Sequence, residues 1–571
     1  MSLDLRPSMM SSQSKNDAHR TAAPYALLHH PDIVERPGLP PIGRHVAGRG
    51  MLNGIFQHTV QQSLHAVTEH PGHADHFTDL AAQAGWKGEV AFYGLDTFFE
   101  QAGPGTLVLP GPSLAPFAQR RASSIGSRHA LCGLTHTMAT AQMVNEIYQL
   151  FCVPLMPGDT IICTSKAVRD VVRYQFDRAI ETGWAPAGHA PDLPVIPLGI
   201  NCASFASSSK DRALWRKRLK LDQDDIMLLS IGRLATFEKL HPAPLFSAVQ
   251  RASSSISSKL HLMMCGWFQD DREEQAHREM AAAFAPDIRV TFPNGRDEQT
   301  KLGLLRAADM FVFPVDNIQE TFGLAPVEAM AAGLPVVASD WNGLSETIVD
   351  GETGLKAATF MAAPRTGDGL AEMYTDGSAP YPQYLGSIQQ RVAVDLGRFS
   401  EAIVALAADP EKRKAMGAAA RRRAREAYDW SVIVPQLEEL WAAMAQRARG
   451  AGSKPFQAPQ GTPPSHPNPL LQYRGYASAQ LTSDHLLRNA KPLTGEQMLD
   501  HIRLTGATLP DFMPVSPNLL LEVSHKLVRS GTVSVGGLAE ILDHSFDEIA
   551  AAVIWLAKFN LVQISSAEER I

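Results

Sequence analysis

The sequence predicts two doubly wound α/β domains followed by a small α-rich domain. Three observations carry that prediction. Short apolar runs alternate with amphipathic helical segments through most of the chain, the pattern of parallel strands covered on both faces. Two of these runs, Ile226 to Leu234 and Met310 to Pro314, lead into glycine-bearing loops, where sheets of this kind receive ligands. A stretch rich in Pro, Gly, Ser and Gln, Gly450 to Pro469, sets the last helical segments apart. At 571 residues the chain exceeds one compact domain.

Taken in order, residues 1–23 are polar and Ser-rich and read as a disordered arm without the apolar centre of a signal peptide. Tyr25 to Leu28 is the first strand, followed by a Pro-rich loop. Gly43 to Gly54 reads as a glycine-rich loop entering a helix whose apolar positions Phe56, Val60, Leu64 and Val67 recur near helical period. Around it lie His58, His65, His70, His73 and His76. The spacing of His73 and His76 allows a metal pair, but carboxylates are few nearby, so capping or solvated roles are favoured. Further strands are expected at Gly88 to Phe92, Thr106 to Leu109, Ala130 to Thr137, Asp159 to Cys163 and Leu193 to Asn201. A basic helix, Arg212 to Lys220, then leads into the second series, with strands at Ile226, Leu260, Ile288, Met310 and Leu334. Residues 358–392 read as an irregular insertion. The helices Arg398 to Leu406 and Glu411 to Glu426 follow; Arg421 to Arg423 suggest a solvated face or, more sharply, contact with an acidic surface.

The chemistry gathers at two strand ends. After the strand at Met310 comes Asn-Ile-Gln-Glu320-Thr321-Phe322-Gly323-Leu324-Ala-Pro-Val-Glu328. Gly323 permits a sharp bend, and Pro326 fits a first helical turn. Amides at that helix start favour an anion, above all a phosphate. Glu320 and Glu328 frame the site and would be repelled by phosphate, so they are expected to address hydroxyl groups. A phosphate flanked by polyols describes a nucleotide-sugar. At the other strand end, Gly232-Arg233 with Lys239 six residues on would clamp a departing diphosphate.

The pattern Glu320-x7-Glu328, with Phe322-Gly323 inside it and Ala-Met-Ala-Ala-Gly333 behind it, resembles glycosyltransferase family 4, retaining enzymes of the GT-B fold. The resemblance covers roughly residues 24–446 and is extended by Gly232-Arg233…Lys239, Thr164-Ser165 and Val195 to Asn201, where Leu198 and Asn201 depart from the family pattern. It implies two Rossmann-like domains: residues 24–201 on the acceptor side, and residues 202–446 binding the nucleotide-sugar. It also implies a last helix, after Asp429-Trp430, that crosses back to the first domain. By this resemblance Glu320 contacts the donor sugar, Glu328 the ribose, and His136, at a strand's C-terminal end, the donor sugar. Arg233 and Lys239 are expected to act on the leaving diphosphate. Thr321, Phe322, Gly323 and Leu324 would line the donor site, and Gly50 would approach the phosphates. The implied activity is nucleotide-sugar-dependent hexosyl transfer to a glycan or lipid-linked acceptor, in polysaccharide biosynthesis. No Asp-x-Asp pair follows a strand, so neither metal nor other cofactor is expected.

Net charge is −7, which sets up no field for nucleic acid. No apolar run approaches the roughly 18 residues of a membrane span. The five cysteines stand apart without CxxC spacing, as free thiols of a reducing compartment. A cytoplasmic enzyme is expected, with peripheral contact at the inner face of the membrane as the further reading. Residues 447–494 read as a Pro/Gly-rich linker. Residues 495–571 read as a winged-helix-like domain, with helices at Pro517 to Val528, Ser534 to Leu542 and Phe546 to Phe559. The last of these opens on Asp547-Glu548 and carries a single Lys558, which suits a protein partner better than DNA. The rival readings are a scaffold or regulator acting through that domain, and a nucleotide-sugar epimerase or phosphorylase of the same fold.

Overall fold

The computed structural model describes residues 25–34, 43–101, 103–124, 127–183, 190–206, 208–450, 468–505 and 513–566. The expected N-terminal arm, 1–23, lies outside them.

The first domain is built on six parallel strands: β1 Ala26–Leu28, β2 Ser63–Thr68, β3 Glu89–Gly94, β4 Thr106–Val108, β5 Ala130–Leu134 and β6 Thr160–Ile162, in the order β3-β2-β1-β4-β5-β6. The second repeats the plan with β7 Ile226–Ile231, β8 Leu260–Cys265, β9 Arg289–Thr291, β10 Met310–Phe313, β11 Val336–Ser339 and β12 Gly354–Ala357, in the order β12-β11-β10-β7-β8-β9. The inner strands of both sheets are buried runs covered by helices, while the edge strands β3 and β9 are partly exposed. In each, the chain reverses its winding between the first and fourth strands, β1/β4 and β7/β10. Sheets of this kind receive ligands beyond the C-terminal ends of those strands.

The glycine-rich segment is not a loop. Gly43–His58 is one helix, and the expected helical positions Leu64 and Val67 belong to β2 instead. The glycines serve close packing. A Cβ on Gly54 would come within 2.5 Å of the Trp430 ring, and one on Gly48 within 2.4 Å of the Ile33 carbonyl. Trp430 opens the helix Trp430–Gly450, which leaves the second domain and lies on the first sheet. There the Tyr25 hydroxyl donates to Glu438 Oε1 at 2.9 Å, and the Thr106 hydroxyl donates to the Trp441 carbonyl at 2.9 Å. Residues 430–446 therefore pack with the first domain although they follow the second in sequence. The expected strand at Leu193 to Asn201 makes only isolated bridges, Val195 with Cys163 and Ile200 with Asp429.

Three further expectations change. Residues 358–392 are ordered as β13 Thr359–Met361, helices Asp368–Thr375 and Tyr381–Gln389, and β14 Val392–Val394. The expected linker, 447–494, is folded from Asn468 onward: its short strand β15 Ala479–Gln480 pairs with β13, and β16 Leu486–Asn489 enters a sheet of its own, while 451–467 lie outside the described residues. Arg421 and Arg423 are not a solvated face: they donate to the carbonyls of Ala332, at 2.6 Å, and of Thr347, at 2.9 Å.

In the C-terminal region β16 pairs antiparallel with β17 Val533–Ser534 and β18 Val562–Ser565. Helices Gly495–Leu504, Pro517–Ser530, Val535–Leu542 and Phe546–Lys558 pack around that sheet. The last helix is buried from Ile549 to Lys558 and lies on β14 of the second domain. The buried face of that helix is thus occupied by the second domain. No described helix is long and apolar enough to cross a membrane.

Candidate active site

The second sheet's switch point brings the two strand ends together. Past β7, Gly232 and Arg233 begin a loop that runs to Lys239. Past β10, residues 314–323 run to the helix Leu324–Ala332. The loops are laced together. Asn317 Nδ2 donates to the Phe237 carbonyl at 2.7 Å, and Gln319 Nε2 donates to the Glu238 carbonyl at 2.7 Å. The Lys239 ammonium is paired with Glu320, and the Arg233 guanidinium with Glu238 at 2.7 Å. Arg233, Lys239 and Glu320, far apart in sequence, therefore share one site.

Gly323 caps the helix with φ +91, a left-handed turn that costs glycine little, and a Cβ there would sit 2.7 Å from the Leu344 side chain. The amides of the helix start have no intrahelical partner, and the positive end of the helix lies behind them. Asn342 Nδ2 donates to the Glu320 carbonyl, and the Trp341 indole donates to the Asn317 carbonyl at 3.0 Å, fixing that loop from below.

Glu328 is the fifth residue of this helix; its carboxylate meets Lys301 at 2.6 Å. The Thr321 carbonyl accepts from Ser165 Oγ of the first domain at 3.0 Å. Phe322 is buried edge-to-face against Tyr428 and acts as core. Leu324 is the first helical residue. Gly50 stands mid-helix in Gly43–His58, 3.7 Å from Trp430 by its would-be Cβ, so it faces the crossing helix rather than forming a loop around a phosphate.

His136 lies just past β5. Its Nε2 is hydrogen-bonded to the Pro110 carbonyl at the end of β4. Burial of the ring and, to a lesser extent, the Arg44 charge push its pKa below the ordinary imidazole value, against the pull of that carbonyl. The ring is neutral at physiological pH and its orientation is set by β4.

Sequence reasoning missed the residues that join the two domains. Tyr381, in the segment expected to be irregular, donates its hydroxyl to Gln319 Oε1 at 2.8 Å and is also hydrogen-bonded by Thr137, next to His136. Its pKa is raised, chiefly by burial. The Ala141 amide donates to the Tyr374 hydroxyl at 2.9 Å, and the Tyr473 hydroxyl donates to the Met138 carbonyl at 2.8 Å. Helices Asp368–Thr375 and Tyr381–Gln389, with the segment after 468, thus strap the His136 loop to the Glu320 loop. The only sequence signal was the density of tyrosines in a stretch without clear periodicity. Lys301 and Glu238, the counter-ions of Glu328 and Arg233, carried none.

Among the described residues no group of three or more His, Cys, Asp or Glu side chains is placed to hold a metal. His70 stands at the N-terminal boundary of the helix Pro71–Gln83, which carries His73 and His76, but its side chain makes no capping hydrogen bond. A separate cavity of about 380 Å³, lined by Arg212, Arg306, Arg413 and Arg421, lies at the opposite end of the second sheet. Three of those arginines are engaged on helix-end carbonyls, among them Ala308, Leu406 and Ala332.

Two doubly wound domains, with a cationic loop pair and a helix N-terminus at the switch point of the second, are the GT-B arrangement. Residues 211–391 match the family model described as glycosyl transferases group 1. The chain is similar to an alpha-maltose-1-phosphate synthase of Mycolicibacterium smegmatis, 23% identical over 74% of this chain and 90% of that protein. It is also similar to a D-inositol 3-phosphate glycosyltransferase of Acidothermus cellulolyticus, 31% identical over 39% of this chain and 50% of that one. Against that second relative and its counterparts in Corynebacterium the chain spans about half their length. Among solved structures it is similar to Anabaena Alr3699/HepE in complex with UDP, 15% identical over 73% of this chain and 99% of that chain, with a TM-score of 0.47. The matched segment, residues 211–391, contains both loops of the candidate site.

Proposed function

We propose that the protein is a retaining hexosyltransferase of the family 4 type. Its donor occupies the crevice beyond β7 and β10, and its acceptor is a glycan or lipid-linked sugar held mainly by the first domain. The observation that carries this reading is the convergence of Arg233, Lys239, Glu320 and the start of the helix Leu324–Ala332 at one switch point. On this reading a diphosphate entering the crevice draws Arg233 and Lys239 from their carboxylate partners. Lys239 and the helix amides then stabilise the charge that develops as the sugar–phosphate bond breaks, which is the largest catalytic contribution such a site offers. Glu320, released from Lys239, addresses sugar hydroxyls; Glu328, held by Lys301, addresses the ribose. The neutral His136 ring orients the sugar.

A depression beside the helix Ala141–Gln149, lined by Ser113, Pro116, Gln142, Asn145 and Glu146, is the place this reading gives an acceptor on the first domain. Metal-independent transfer in polysaccharide assembly, at the cytoplasmic side of the membrane, completes the proposal.

The experiment is turnover by the full-length protein with UDP-, GDP- and ADP-hexoses and an acceptor panel that includes phosphorylated polyols, with and without EDTA. Transfer with retained anomeric configuration, lowered about 10²-fold or more in Lys239→Ala and indifferent to EDTA, is expected. Inverted product, or equal turnover by Lys239→Ala, would overturn it.

A further inference from the structure

We infer that the C-terminal region is a built-in part of the donor site, and that Lys558 and Asp316 are positioning residues for the loop that carries Glu320. Asp316 immediately precedes Asn317 and is buried. Its carboxylate accepts from the Lys558 ammonium, delivered by the helix Phe546–Lys558, and from Gln389 Nε2 at 2.9 Å. Lys558 is fully enclosed, with the Val392 carbonyl as its other neighbour at 3.5 Å. The same region also reaches the other donor loop. His241, two residues beyond Lys239, is buried; its Nε2 is hydrogen-bonded to the Thr505 carbonyl at 2.9 Å, and its ring packs edge-on against Phe559 at 5.2 Å.

Both loops of the diphosphate site therefore rest on one buried polar cluster contributed from the far end of the chain. A buried carboxylate needs a paired cation, and without it must rearrange toward water or take up a proton. Asp316 cannot move without moving Asn317, whose side chain ties the two loops together through the Phe237 carbonyl at 2.7 Å. Lys558 thus fixes the distance between Lys239 and Glu320 without touching a substrate. Nothing in a free docking module calls for a fully buried lysine aimed at an active-site loop.

This inference rests on the donor-site reading of Arg233, Lys239 and Glu320, and the test separates the two. Full-length Lys558→Met, Asp316→Asn and the double variant are compared with wild type and Lys239→Ala. Hydrogen exchange of peptides spanning 314–323 and 519–527 is measured without ligand, and binding of UDP, GDP and ADP by calorimetry. The expected result is exchange at 314–323 faster by tenfold or more in the folded variants, with 519–527 as slow as in wild type, and nucleoside diphosphate affinity lower by tenfold or more. The double variant, which leaves no lone buried charge, decides the matter if the single variants do not fold. Wild-type exchange at 314–323 in the folded double variant would overturn the inference. If wild type binds none of the three nucleotides, the donor-site reading fails, while the exchange comparison still decides whether Lys558 holds the loop.

Discussion

The ammonium of Lys239 rests on the carboxylate of Glu320, an ion pair that joins the loop after β7 to the loop after β10. Each group balances the other's charge, with the Lys239 side chain 27% and the Glu320 side chain 10% exposed. Lys239→Ala and Glu320→Ala are each expected to lower turnover by about 10²-fold or more, the range for losing one preorganised charge-stabilising group. Far-ultraviolet circular dichroism should be unchanged. Because the residues act as a pair, the double variant should lose less than the product of the two single losses. A fully multiplicative double variant would mean that the pair has no functional coupling.

Tyr381 bridges Gln319 and Thr137, and so couples the two domains at the site. Tyr381→Phe keeps the ring and removes one hydroxyl. A single hydrogen bond is worth about 0.5–1.5 kcal/mol, so kcat/KM for the donor should fall roughly 2- to 12-fold while the melting temperature barely moves. An unchanged kcat/KM would show that the bridge plays no part in the reaction.

Trp430 is wedged between Gly54 and Gly199; a Cβ on either would stand 2.5 Å from its ring. Helix propensity alone favours alanine over glycine by about 1 kcal/mol. Gly54→Ala should nevertheless destabilise the protein by about 1–3 kcal/mol in urea unfolding, because the overpacking outweighs the propensity. Gly72→Ala, with no atom within 4 Å of its would-be Cβ, serves as the control and should be neutral or stabilising. Stabilisation by Gly54→Ala would show that the crossing helix yields at that contact.

Stability should fall on mild acidification. His241 is pushed down to about 3, first by burial and then by the charge of Lys558, and His501 to about 4, first by burial and then by Lys491. In the unfolded chain both titrate near 6.5, so below that pH the unfolded state binds more protons and is favoured. The contribution of each is present above about pH 6.5 and is lost as the pH falls toward the folded-state value. The slope is at most about 1.4 kcal/mol per pH unit for each histidine. Urea melts at pH 7.5, 6 and 5 should show the loss, and His241→Gln should flatten it. A pH-independent melt would mean that these rings are not held neutral.

Strand positions and most helices were legible because burial on both faces writes a parallel strand as an apolar run and a covering helix as a period of 3.6. The segment Ser63–Thr68 was misread because Leu64 and Val67 fit both periods when joined to Phe56 and Val60. The helix Gly43–His58 was misread because its glycines look like loop residues. Their reason is Trp430, far along the chain, whose ring needs the space that a side chain would fill.

By itself the sequence determined the local chemistry: a guanidinium and an ammonium after one strand, and two carboxylates around a glycine-started helix after another. These follow from residue types at short spacing, which near-neighbour geometry fixes. Only the tertiary structure decided which groups face each other: Lys239 with Glu320, Glu328 with Lys301, Tyr381 between two domains, and Lys558 under the donor loop. Such partners are set by how the packed sheets and the C-terminal helices close on one another, and the burial that makes a lone charge costly selects them across hundreds of residues.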